Sequence, residues 1–355
     1  MIDLKAYTCR AVIDWLELRV VLDRSTQERW INDEIRHATG DSPWVEDLDD
    51  PAEGTKFRIR FQEPLLGEVK KAVEAIDRKW KLLEPPEFRG MEISFDARPR
   101  VYSEEALAWM FGVLVRTHLP SRDVITDLND RPRFAWGKAK EQTGYVLAYN
   151  KVAPKLRDEF LLRTDKDLMT PFDATYYAGA KGSSSSRRTM VKVIDEQNKA
   201  TGAMKILPDG ERRVRLEVTL LESELRKIGI TSIDDLAAFS FQKFQGLYFK
   251  FLLPTFEQPG RRSTLALQAV TNAIEQDRRK KFLVTGIVGL EAMDEVKRRE
   301  REAIRKRSKK SVKALEATSR RGAGRFSTMV QYEALTRQVI HALRHLGLRQ
   351  RRSVR

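Results

Sequence analysis

The chain has 355 residues, enough for one large domain or two ordinary ones, and its 41% of hydrophobic residues excludes a disordered polymer. A net charge of +15 makes a polyanion the expected partner, because Lys and Arg contacts to phosphates release condensed counterions. No apolar run reaches the roughly 18 residues that span a bilayer, so no membrane partner is expected. The opening Met1-Ile2-Asp3-Leu4-Lys5 lacks the pattern of a signal peptide. The single cysteine, Cys9, excludes an internal disulfide framework or a Cys-based zinc site, and a reducing cytoplasm is the expected compartment.

Asp14 to Val20 alternates apolar and charged residues and predicts a strand. A helix follows over Ser25–Ala38 with Ser25 as N-cap, then an acidic loop from Asp41 to Gly54. Lys56–Phe61 predicts a second strand, Leu66–Leu83 a helix, Met91–Asp96 a third strand and Ser103–His118 a third helix. The stretch Pro120–Thr170 fits short elements and loops. Ala174–Ala180 and Thr189–Asp195 form a hairpin across the Gly-Ser turn at Gly182–Ser186, and Arg213–Leu221 is a further strand. Residues 1–230 therefore predict an α+β domain, an antiparallel-rich central sheet with helices on one side. Residues 231–355 predict a helical module, with helices over Ser232–Leu252, Thr264–Phe282, Gly289–Arg320 and Ser327–Leu346. The charge excess lies here. From Arg261 to Arg355 there are 25 Lys and Arg against 9 Asp and Glu, a net of +16, which leaves the rest of the chain at −1.

Strand side chains alternate between faces, so Glu92, Ser94 and Asp96 share one face, as do Arg213, Arg215, Glu217 and Thr219. If the two strands are neighbours, the carboxylates of Glu92, Asp96 and Glu217 converge beside two arginines. Carboxylate oxygens suit Mg²⁺ or Mn²⁺, which polarise a phosphodiester for in-line displacement. A solvated, charge-alternating strand face is the competing reading of the same residues.

The segment Arg89-Gly90-Met91-Glu92-Ile93-Ser94-Phe95-Asp96-Ala97-Arg98 resembles a strand of the rolling-circle replication initiators of the filamentous-phage gene II/X and related plasmid type. Arg213 to Leu220, with Leu225 to Ile230 after it, resembles a later strand and its helical continuation. Thr175-Tyr176-Tyr177-Ala178-Gly179, the serine run and Arg187 to Val191 resemble the family's hairpin, and Ile13-Asp14-Trp15-Leu16 its first strand. The likeness runs in consistent order over about residues 13 to 230. It implies an origin-binding initiation protein of a phage or plasmid in a bacterial host, in which a tyrosine attacks a DNA phosphate with a divalent ion. The partners it implies are double-stranded origin DNA with a single-stranded nick region, a host helicase and a second copy of the chain. Where the family carries its tyrosine and lysine, this chain reads Lys192-Val193-Ile194-Asp195-Glu196. Tyr176 and Tyr177 on the partner strand are then the candidate nucleophiles, and only one of them can face the site. Plain strand packing is the alternative for both. A protein that keeps DNA recognition without strand cleavage is the alternative function.

Arg98, Arg215 and Lys192 are the cations expected nearest the scissile phosphate. Lys181, Arg187 and Arg188 flank a Gly-Ser turn that could hold phosphates or be a plain surface loop. Arg298, Arg299, Arg305, Lys306, Lys309 and Lys310 lie on a predicted helix too basic to be stable without a counter-polyanion, which points to duplex phosphate contacts.

Overall fold

Strand β1 (Tyr7–Thr26) organises the molecule. It buries Ala11 and Ile13, then Leu16, Leu18, Val20 and Leu22, on one face of a sheet. The computed structural model describes residues 2–49, 53–120, 132–136, 142–145, 174–179, 183–197, 204–254, 268–291 and 329–354. After β1 come helix α1 (Glu28–Thr39), strands β2 (Trp44–Asp47) and β3 (Gly54–Gln62), helix α2 (Leu66–Trp80), strand β4 (Glu87–Pro99) and helix α3 (Glu104–Thr117). Short strands follow: β5 (His118–Leu119), β6 (Arg133–Trp136), β7 (Gln142–Tyr145) and β8 (Thr175–Ala178). Then come β9 (Ser185–Lys192), the small pair β10 (Ile194–Gln197) and β11 (Met204–Ile206), and β12 (Arg213–Leu221). The described remainder is helices α4 (Glu222–Lys227), α5 (Ile233–Ala238) and α6 (Lys243–Tyr248), strand β13 (Lys250–Pro254), helix α7 over 268–291, strand β14 (Met329–Gln331) and helix α8 (Glu333–Val354).

Nine strands form one sheet in the order β2-β3-β1-β4-β12-β9-β8-β6-β7, and every pair in it is antiparallel. The α+β class holds. One face is apolar: Met91, Ile93, Phe95 and Ala97 of β4 and Val214, Leu216, Val218 and Leu220 of β12 join the β1 residues, and α2, α3 and α8 pack on this side. Burying each such large side chain stabilises the fold by roughly 1.5–3 kcal/mol.

Several boundaries differ from the sequence pattern for identifiable reasons. Strand β1 runs past Ser25, because Thr26 still pairs with Gly54, so Gln27 takes the N-cap place and α1 begins at Glu28. The acidic loop contains β2, which pairs with β3. The helix expected over Ser232–Leu252 is two short helices and a strand. Ser232 and Asp235 form a capping box that starts α5, and β13 then pairs with both β5 and β14. Of the helix expected over Gly289–Arg320, residues 289–291 end α7 and the rest lies outside the described residues.

Helix α8 returns to the first strands. Its buried stripe of Leu335, Val339, Leu343 and Leu346 joins the same core as β1 and β4. The Gln350 side chain accepts from Leu66 N at 2.8 Å and donates to Pro64 O at 3.1 Å, Ser353 Oγ accepts from Gly67 N, and Arg349 donates to Ala11 O at 2.6 Å. Gly67 permits this approach, since a Cβ there would sit 1.8 Å from Ser353 O. Of the expected C-terminal module, helices α5, α6 and α8 and strand β13 are thus built into the core of residues 1–230. Replacing Gln350 with Ala strands two buried backbone groups and should cost about 1–3 kcal/mol, read as a lowered urea midpoint at unchanged slope.

Candidate functional site

The face of the sheet opposite the helices carries the charged residues, and register brings them together. Glu217 of β12 lies directly across from Ser94 of β4, Thr219 from Glu92, and Arg215 from Asp96. The expectation that these two strands are neighbours is met. A third carboxylate arrives from β1. The pairing of β1 with β4 runs Ile13↔Ile93 and then Trp15↔Glu92, so Asp14 is the extra residue of a β-bulge. The bulge turns Asp14 onto the acidic face. Asp14, Glu92 and Glu217 each offer an oxygen within 4.8 Å of the others.

Arginines organise the cluster. The Arg215 side chain is fully buried; Nε and Nη2 donate to the two oxygens of Asp96 at 2.6 and 2.8 Å, and Nη1 donates to Asp14. Arg213 Nε also reaches Asp96, at 3.1 Å. Asp96 is therefore committed to arginines, and Asp14 takes the third place among the clustered carboxylates. Arg188 of β9 donates through Nε to Glu217, and its Nη2 stands 3.7 Å from Glu92 Oε1. Thr219 Oγ1 donates to Glu92 Oε2 at 2.5 Å.

Two buried polar atoms at the centre have no hydrogen-bond partner among the described residues: Glu92 Oε1 and Ser94 Oγ. A carboxylate oxygen without a donor, beside two further carboxylates, is the donor set of a hard cation. Asp14, Glu92 and Glu217 can hold a metal ion. Burial, reinforced by the neighbouring Glu217, pushes the Glu92 carboxyl from its ordinary 4.5 up to about 7. Burial raises Glu217 as well, against the pull of Arg188. Either a proton or a cation relieves this crowding of negative charge.

The two tyrosines separate by face. Tyr176 points to the core, fully enclosed with its ring 5.0 Å from Phe134, and burial raises its hydroxyl well above the ordinary range. Tyr177 lies directly across from Arg188 on the acidic face, with the Arg133 guanidinium 5.1 Å from its ring centre. The same alternation separates the cations. Arg188 belongs to the site. Arg187 faces the core, 3% exposed and 5.9 Å from the Tyr248 ring, and cannot meet a phosphate there. Arg215 is equally enclosed and serves the carboxylates. Arg98 is exposed near the end of β4, and Lys192, half-buried, lies across from Arg213 at the end of β9. Lys181, Arg298, Arg299, Arg305, Lys306, Lys309 and Lys310 lie outside the described residues.

Sequence reasoning missed Asp14, because the apolar Val12, Ile13, Trp15 and Leu16 around it hide the change of phase. In the fold, the residues that β1 gives to the hydrophobic core step by two from Ala11 to Ile13, by three to Leu16, and by two again to Leu22. The single step of three marks the bulge. Neither the models of known protein families nor the curated proteins contain a match to this chain.

Two outcomes follow from these contacts. Asp96→Ala leaves the Arg215 charge buried without its bidentate partner, and should destabilise by about 3–5 kcal/mol in chemical denaturation. Glu92 acts in the opposite direction. Its folded carboxyl holds a proton that the unfolded chain releases near 4.5, so its contribution to stability is full below 4.5 and is lost as pH rises through about 7. In chelator, Glu92→Gln should therefore melt above the unmodified protein at pH 8 and converge with it at pH 4.5. Parallel melting curves across that range would remove Glu92 as the titrating group.

Proposed function

We propose that the protein is a DNA nicking and joining enzyme that initiates rolling-circle replication of a phage or plasmid, with Tyr177 as nucleophile and Mg²⁺ or Mn²⁺ at Asp14, Glu92 and Glu217. The observation that carries this reading is the convergence of three carboxylates, the buried Glu92 and Glu217 and the half-buried Asp14, from three adjacent strands on the face that also bears Tyr177. Tyr177 and Glu217 are two strand spacings apart, about 10 Å, a gap that a phosphodiester group can fill.

The chemistry assigns each group a task. The Tyr177 hydroxyl gives up its proton to solvent as its oxygen attacks phosphorus and forms a phosphotyrosyl ester; the bond from phosphorus to the 3′-oxygen breaks, and that oxygen takes a proton from solvent and leaves as a hydroxyl. The divalent ion would polarise the phosphate and stabilise the charge of the displacement. Arg188, between Tyr177 and Glu217 in the row, neutralises phenolate and phosphate alike. The Glu92 carboxyl, raised to about 7 in the ion-free site, would give up its proton on binding the ion. Strand joining is the same exchange run backwards. The strongly basic residues 296–313 would contact the flanking origin duplex through its phosphates.

A second reading, sequence-specific DNA binding without cleavage, is favoured by one feature. Arg188, Arg213 and Arg215 already compensate most of the charge of Asp14, Glu92, Asp96 and Glu217, so the network is nearly neutral without an ion. Incubation with Mn²⁺ and single-stranded or supercoiled DNA of the replicon that encodes the gene separates the two. The expected product is a covalent adduct on denaturing gels, mapped to Tyr177 by mass spectrometry, lost in Tyr177→Phe and retained in Tyr176→Phe. A sequence-specific complex without any adduct would favour the second reading.

A further inference from the structure

The acidic face does not end at the carboxylates. Trp15 of β1 lies directly across from Glu92, and two residues along β1 Glu17 lies across from Arg60 of β3, which in turn lies across from Trp44 of β2. The Arg60 guanidinium stands 4.6 Å from the ring centre of Trp15 and 5.7 Å from that of Trp44. We propose that this Trp15–Arg60–Trp44 stack is a platform for the bases of single-stranded DNA, holding the strand whose phosphate is delivered to the carboxylate centre.

Three observations argue that the stack is built rather than accidental. First, the bulge that turns Asp14 to the metal-binding face also puts Trp15, its immediate neighbour, on that face, which a regular strand cannot do for consecutive residues. Second, Trp15 lies flat against the sheet over Gly90, where a Cβ would come within 3.0 Å of its ring. Any larger residue at position 90 would lift the indole. Third, Glu17 fixes the plane of Arg60 by accepting from Nε and Nη2 at 3.0 and 2.5 Å, so the guanidinium presents a rigid flat face.

The occupant follows from the chemistry of the surface. Indole rings and a guanidinium plane offer π-faces that any base can stack on, and the cation adds attraction for a polyanion. Arg58 stands beside them on the same face, paired with Glu46 at 2.9 Å. Trp44 is 43% exposed on the edge side of the stack, open to a base. Duplex DNA hides its bases within the stack and cannot use such a platform, so the partner is single-stranded. By strand spacing and register, Trp44 lies about 16 Å from Glu92, a distance that a few nucleotides cover.

This inference rests on the nuclease reading above, and its test is arranged so that the two can fail separately. Binding of a fluorescent single-stranded oligonucleotide is measured in chelator, so that no metal contributes, for the unmodified protein, Trp44→Ala and Trp44→Phe. The expected result is about a tenfold weaker affinity for Trp44→Ala, in line with the loss of one stacked base, recovery in Trp44→Phe and unchanged affinity for duplex DNA. Thermal melting checks that the edge-strand variant folds. Equal affinity of Trp44→Ala and the unmodified protein would overturn the platform, as would equal losses for single strands and duplex. A Mn²⁺-dependent adduct at Tyr177 in that same variant would leave the nuclease reading standing.

Discussion

A fully buried guanidinium holds the centre of the sheet together. Arg215 on β12 is enclosed with its charge, and that charge is tolerable only because Asp96 of β4 receives it in a bidentate pair and Asp14 of β1 receives its remaining arm. Three strands are thereby fixed in register by one side chain. The geometry of the carboxylate centre depends on the result, since Glu217 sits two residues along β12 from Arg215, and Glu92 four residues along β4 from Asp96. A slip of one residue would send every one of these charges into the apolar face. Register is therefore enforced by both sides of the sheet, by burial of leucines and phenylalanines on one and by ion pairing on the other.

The same economy explains the division of labour among the acids. Asp96 sits where Arg213 and Arg215 can both reach it, and it is structural. Glu92 keeps an oxygen with no donor, in surroundings that resist its ionisation. A protein optimised for stability alone would fill that position with a neutral residue or a second arginine. A desolvated carboxyl at the centre of such a network can take up a cation or a proton.

Much of this was legible from residue order. The alternation in Met91–Asp96 and Arg213–Leu221 placed the right residues on the right face, and adjacency of the two strands followed. What alternation could not show was a change of phase within a strand, so Asp14 was passed over in favour of Asp96. The choice between Tyr176 and Tyr177 was equally closed to sequence, because it depends on the register of β8 against β9 and of β9 against β12. Arg187 and Arg188 look interchangeable as letters, yet one is enclosed among aromatic rings and the other joins the carboxylates. The helical reading of residues 232–252 failed for a different reason. Apolar content there is high, but Phe249 and Phe251 are buried around a short strand paired to β5 and β14, and long-range pairing overrode local pattern.

The return of α8 to the first strands has a consequence for how the molecule comes into being. Arg349 meets Ala11 across 338 residues of chain, and Gln350 meets Leu66 across 284. A ribosome that has released only the first 300 residues therefore holds a sheet whose helix-facing apolar surface still lacks one of its covers. Such non-local closure makes for slow folding and exposes the nascent sheet to aggregation or chaperone capture until α8 emerges. Completion of the core thus waits on the synthesis of a helix far downstream of the strands it covers.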